Sequence, residues 1–120
     1  MEPSTMSKST DRTAPDQTLD ELIAEAVAAN ATPILPPFEE CQRLHDSLRP
    51  AIGELAAQVR RRQDYLARGT TGWQACERGL LQAQGALIGD LGTGLRSAAL
   101  HVATLGEAAR VLDACIRETR

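Results

Sequence analysis

Apolar residues recur along the chain at three- and four-residue intervals, the repeat of a helix that buries one side. Leu19, Leu22, Ile23 and Ala26 line a first face, and Thr18 followed by Glu21 forms a capping box at its start. This predicts a helix over 19–29. Asn30 and then Pro33, Pro36 and Pro37 end it, because proline lacks the N–H that a continuing helix needs. A second and longer face follows at Phe38, Cys41, Leu44, Leu48, Ile52, Leu55, Val59 and Leu66. Pro50 interrupts it, at a typical cost of about 3 kcal/mol inside a helix. Two separate helices are the alternative. Leu48 and Ile52 nevertheless keep the phase of the seam across the proline, so the pattern predicts one long Pro-kinked helix.

Gly69 marks the next break. Thr71 and Gln74 read as another capping box, opening a third helix over 71–88 with Trp73, Cys76, Leu80, Ala83 and Leu87 on its apolar side. Gly79 and Gly85 inside it each cost up to about 1 kcal/mol relative to alanine, which points to close approach by a neighbour. Gly89, Gly92 and Gly94 form a turn. Thr93 is the expected N-cap of a last helix carrying Leu95, Ala99, Val102, Leu105, Ala109, Leu112 and Ile116. No segment alternates with a period of two, so the expected class is all-α, a small helical bundle. The long helix spans about 44 Å and the third only about 27 Å. The excess seam calls for cover, some of it from the first helix and the rest from a second copy of the chain in a homodimer.

Composition refines this picture. Nineteen alanines and fifteen leucines against three aromatics, Phe38, Tyr65 and Trp73, favour helix and an aliphatic core. Residues 1–17 are rich in Ser, Thr, Pro and charge, with no apolar run. They read as a disordered tail rather than a signal peptide or membrane span, leaving 18–120 as one domain. Net charge is −3, with 2 basic and 8 acidic side chains in residues 1–40 and 11 basic and 8 acidic in the rest. That imbalance is too small for a nucleic-acid-binding domain. The Arg60–Arg61–Arg62 run spreads around most of a helical turn and reads as a solvated surface. Cys41, Cys76 and Cys115 fall within or beside apolar stripes and are expected to be buried thiols. A cytoplasmic protein without membrane contact is the expectation.

Few residues offer chemistry. His45 and His101 belong to no metal-ligand motif, so neither metal nor cofactor is expected. His45 reads as structural, and His101 as a candidate acid, base or hydrogen-bond donor. The segment GDLGTGLRS follows no strand, so it is no phosphate loop. Backbone N–H groups at a helix start with Arg96 nearby suit a carboxylate or oxyanion, although an ordinary interhelical turn has the same residues. Glu39 and Glu40 complement the dipole of the long helix. Phe38 and Trp73 stand at helix starts, where either can line the mouth of a groove.

Three segments, PPFEECQRLHDSLRPAI, GTTGWQACERGLL and GTGLRSAALHVATL, carry a resemblance. Over roughly Thr18 to Arg117, together they resemble a family of small actinobacterial helical natural-product biosynthesis proteins, the domain of unknown function 6415. Within it, they look like the branch that forms the lysinoalanine bridge of cinnamycin- and duramycin-type lanthipeptides. The resemblance implies a homodimer whose groove folds a modified precursor peptide. It implies an aza-Michael addition, in which a lysine amine of the peptide attacks a dehydroalanine of the same peptide, assisted by a hydroxylated aspartate of the substrate. On that reading Arg96 and His101 are the expected catalytic residues. Phe38 and Trp73 would wall the groove, Glu39 and Gln74 would hydrogen-bond the peptide, and Ser97 would join Arg96 in holding a carboxylate or the enolate oxygen. A non-catalytic scaffold or peptide-binding partner is the alternative, and a DNA-binding regulator a distant third.

Overall fold

The computed structural model describes residues 17–118. The tail expected over 1–17 lies outside them except for Gln17, whose side chain hydrogen-bonds Glu25 and Arg43. The described residues form four helices and no strand: α1 (Leu19–Ala28), α2 (Phe38–Asp64), α3 (Thr71–Ile88) and α4 (Leu95–Glu118). Successive helices run antiparallel, so α2 and α4 are parallel. α4 packs against all three others, whereas α1 and α3 do not meet. The molecule is therefore an all-α bundle built around the α2–α4 pair.

The α1 capping box forms as expected, with Thr18 and Glu21 satisfying each other's backbone N–H. α2 continues unbroken through Pro50. The missing N–H would have bonded the carbonyl of Asp46, and both residues are exposed. Water can donate to that carbonyl in place of the missing N–H, and Leu48 and Ile52 stay fully buried on the opposite side. Replacing Pro50 with alanine restores that bond and removes the clash of the ring with the preceding turn, together worth up to about 3 kcal/mol. It also frees the unfolded chain, at a cost of up to about 1 kcal/mol. The expected net gain is about 1–2 kcal/mol, read as a higher urea midpoint; a lower midpoint contradicts it.

The structure corrects two caps. α3 is capped by Thr70 rather than Thr71. The Thr70 hydroxyl accepts from Trp73 N at 3.3 Å and donates to the Ala67 carbonyl at 2.7 Å, so Gln74 closes no capping box. At α4, Thr93 is not the cap: the Ser97 hydroxyl reaches back to Gly94 N–H at 3.2 Å. The glycines of α3 also separate. A Cβ on buried Gly79 would meet Val111, Leu112 and Cys115 of α4 at 3.4–3.5 Å, whereas nothing approaches Gly85. The first is a close approach and the second an exposed position.

The long seam is covered within one chain. Cys41, Leu44, Leu48, Ile52, Leu55 and Val59 are all buried, mostly beneath α4. Only Phe38 at its start, 36 % exposed, and Leu66 past its end are less covered. The unmatched length that called for a second copy is thus absent, because α4 at about 36 Å nearly matches α2.

Candidate functional site

The parallel course of α2 and α4 brings the two histidines together. His45 Nδ1 lies 3.0 Å from His101 Nε2, with ring centroids 5.0 Å apart. His45 is half-buried, while His101 is 7 % exposed. One turn further along α2, Arg49 donates to the Leu87 carbonyl at 2.9 Å, pinning the end of α3 beside the pair. The α3–α4 turn closes over it. Gly89 sits so near that a Cβ there would lie 3.3 Å from His101 Nδ1. Among the described residues His101 Nδ1 has no hydrogen-bond partner, and no cluster of metal-ligating side chains forms.

Burial holds His101 below its ordinary value of 6.5, and the charges of His45 and Arg49 act the same way, with Asp90 opposing them. The folded state thus binds fewer protons here than the unfolded state. The resulting stability is complete above about pH 6.5 and is lost as the pH falls through that value towards the depressed one. Glu40 acts in a separate window, because its hydrogen bond to Arg43 holds it below 4.5. Urea unfolding at pH 7.5 and 5.5 is expected to show a loss in the wild type that His101→Gln removes; equal losses in both contradict this origin.

The turn itself is engaged with its own side chains. Asp90 Oδ1 accepts from Gly92 N at 3.0 Å, and Ser97 Oγ bonds Gly94 N and the Leu91 carbonyl. Gly92 has φ +70°, and a Cβ there would stand 2.7 Å from Ser97 Oγ. Two N–H groups that looked available for an anion are therefore taken, and Ser97 is a clamp on the turn. Arg96 is exposed and bonds to none of the described residues.

Five of the seven sequence-predicted residues gather at this end of the bundle. Arg96, Ser97 and His101 come from the start of α4, and Phe38 and Glu39 from the start of the parallel α2. Phe38, His45 and Arg49 share one side of α2 at seven- and four-residue spacing. Trp73 and Gln74 lie elsewhere. Gln63 Nε2 donates to the Trp73 carbonyl at 3.3 Å, which places Trp73 beside the far end of α2, and Arg68 stacks over its ring at 5.3 Å. From Phe38 to Gln63 is about 38 Å along the helix, so Phe38 and Trp73 do not wall one groove of a single chain. His45, read from the sequence as structural, is the residue that meets His101, a pairing that sequence reading did not give. Both histidines flank stripe residues, Leu44 and Val102, and that shared adjacency was the available signal.

All three thiols are buried, and burial raises each of them. A groove lies on another face, between α1 and α4. It measures about 730 Å³, and Ile23, Val27, Ala28 and Ala114 line it together with the charged Asp20, Arg110, Asp113, Arg117 and Glu118. Among the described residues no helix is long and apolar enough to cross a membrane.

A model described as a family of unknown function (DUF6415) matches residues 17–119. The chain belongs to this family. The matched region spans all four helices of the bundle. No curated protein and no solved structure matches the chain.

Proposed function

We propose that this member of the family matures a lanthipeptide, closing a lysinoalanine bridge by intramolecular aza-Michael addition. The observation that carries the reading is that Phe38, Glu39 and Arg96, at the starts of α2 and α4, share the end of the bundle where His45 meets His101. Two of the three segments behind the resemblance, PPFEECQRLHDSLRPAI and GTGLRSAALHVATL, build that end.

The reaction needs little machinery. A lysine ammonium with pKa about 10.4 must lose a proton, which costs about 4.6 kcal/mol at pH 7. Its nitrogen lone pair then bonds the dehydroalanine β-carbon, the alkene electrons move into an enolate, and the α-carbon is protonated. Holding amine and alkene in contact can lower the barrier by about 7–11 kcal/mol at the favourable limit. Arg96, exposed at the helix start, suits the enolate oxygen. The hydroxylated aspartate of the substrate assists proton removal.

Trp73 and Gln74 join the groove only across two copies. A two-fold dimer with antiparallel long helices sets the Trp73 end of one chain beside the Phe38 end of the other. Light scattering at micromolar concentration is expected to give twice the chain mass; monomer alone removes Trp73 and Gln74 from the site.

The reaction conserves mass, so its readout is chemical. With a hydroxylated, thioether-bridged precursor, the chain is expected to abolish both thiol capture of dehydroalanine and acylation of lysine. Unchanged reactivity of both groups rejects the enzyme. The α1–α4 groove, mostly apolar and without an imidazole, favours the second reading, a non-catalytic peptide-binding scaffold. Binding without conversion selects it.

A further inference from the structure

We infer that His45 and His101 act as one acid–base unit, a two-imidazole relay between the surface of α2 and the turn over Gly89. The geometry leaves few arrangements. The contact joins Nδ1 of one ring to Nε2 of the other at 3.0 Å. Only one proton occupies that bond. If His45 donates, its Nε2 is a bare acceptor and His101 carries its remaining proton on Nδ1. If His101 donates, its Nδ1 is the bare acceptor and His45 carries its proton on Nε2. The two neutral rings therefore always share the same tautomer. Switching from one arrangement to the other moves a proton's worth of charge between His45 Nε2 and His101 Nδ1.

The surroundings suit a relay better than a structural bond. His101 is buried, and its Nδ1 faces Gly89 with no partner, where any side chain would crowd it. The charged groups facing the pair are Arg49 on α2 and Asp90 in the turn, of opposite effect on the imidazolium. α3 presents only the Leu87 carbonyl, which Arg49 occupies. A proton entering at His45 Nε2 is thus passed inward or held, and the same proton is available for return.

The inference extends the proposed reaction, and it rests on that reading only for the amine it serves. One proton leaves the lysine ammonium by way of the substrate's hydroxylated aspartate for His45 Nε2, and the freed amine forms its bond to the β-carbon. The proton then goes from the pair to the enolate α-carbon. No proton or electron is gained or lost overall. His45 becomes a catalytic residue and His101 the positioning residue that sets its tautomer.

The test uses the full chain with ¹⁵N-labelled histidine. Long-range proton–nitrogen spectra at pH 8 are expected to show one tautomer common to both rings. Titration is expected to protonate His101 below its ordinary value, a lowering that His45→Gly relieves in part. Opposite tautomers, or a His101 titration that His45→Gly leaves unmoved, overturn the relay whether or not the chain converts substrate. In the conversion assay, His45→Gly is expected to be slower by about a hundredfold and to recover with added imidazole, which a structural role does not do. Full activity in His45→Gly overturns the catalytic assignment. A wild-type chain that fails to convert, yet shows the common tautomer and a His101 titration that His45→Gly raises, rejects the reaction and upholds the pair.

Discussion

Replacing Leu112 with alanine is expected to destabilise the bundle by about 2–5 kcal/mol. Leu112 is fully buried on α4, the helix that touches all the others. Its Cδ2 lies 3.5 Å from where a Cβ on Gly79 would sit, so with Val111 and Cys115 it fills the space that Gly79 leaves between α3 and α4. Neither neighbour can collapse into the void, since Gly79 has no side chain and both helices are held elsewhere. Domains of this size have a total stability of about 5–15 kcal/mol, and the loss is a large fraction of it. Gly79→Ala supplies a methyl group at ordinary contact distance and improves helix propensity by up to about 1 kcal/mol. It is expected to recover more stability in the Leu112→Ala background than it adds to the wild type, a coupling that denaturant unfolding of the four proteins measures. A Leu112→Ala cost below about 1 kcal/mol contradicts the packing described.

Gly106→Val is expected to undock α1. A Cβ at Gly106 would stand 2.9 Å from Ala26 Cβ, 3.1 Å from Val27 Cγ2 and 3.2 Å from Val27 N. Two of those atoms are fixed to the α1 backbone and cannot swing away, so the helix itself must move. With 10 residues, α1 is too short to persist alone in water. Its displacement exposes Leu22, Ile23 and Ala26 and strips Glu25 from Arg43 and Asp20 from Arg117. The expected loss is about 3 kcal/mol, concentrated in one element. Hydrogen exchange should therefore show α1 amides unprotected while those of α2 and α4 stay slow. Protected α1 amides in this variant contradict the contact.

Much of this architecture was legible because helical periodicity is local. The seam phase across Pro50 predicted one helix, and the stop signals around Gly69 and Gly89 placed α3 at 71–88. The misplaced caps show where local reading ends. Two adjacent threonines satisfy the same rule, and the choice of Thr70 depends on the Ala67 carbonyl and on Gly69 at φ +87°. Gly85 was readable and was misread: it stands about 200° around the helix from Ala83, away from the core. The dimer argument compared α2 with α3 and overlooked α4 as its cover. The histidine pair was hidden for a different reason. His45 and His101 are 56 residues apart, and they meet only because the bundle sets α2 and α4 side by side. Pattern analysis of one chain gives each helix a buried side without saying which helix covers it.

The most direct test of the central claim, that the working site lies at the His45–His101 end, is amide chemical-shift mapping. The labelled full chain is titrated with a precursor peptide that carries dehydroalanine and a free lysine. The account predicts shifts concentrated on residues 38–49 and 89–101. Shifts confined to Ile23, Val27, Ala28 and Ala114 of the α1–α4 groove would contradict it.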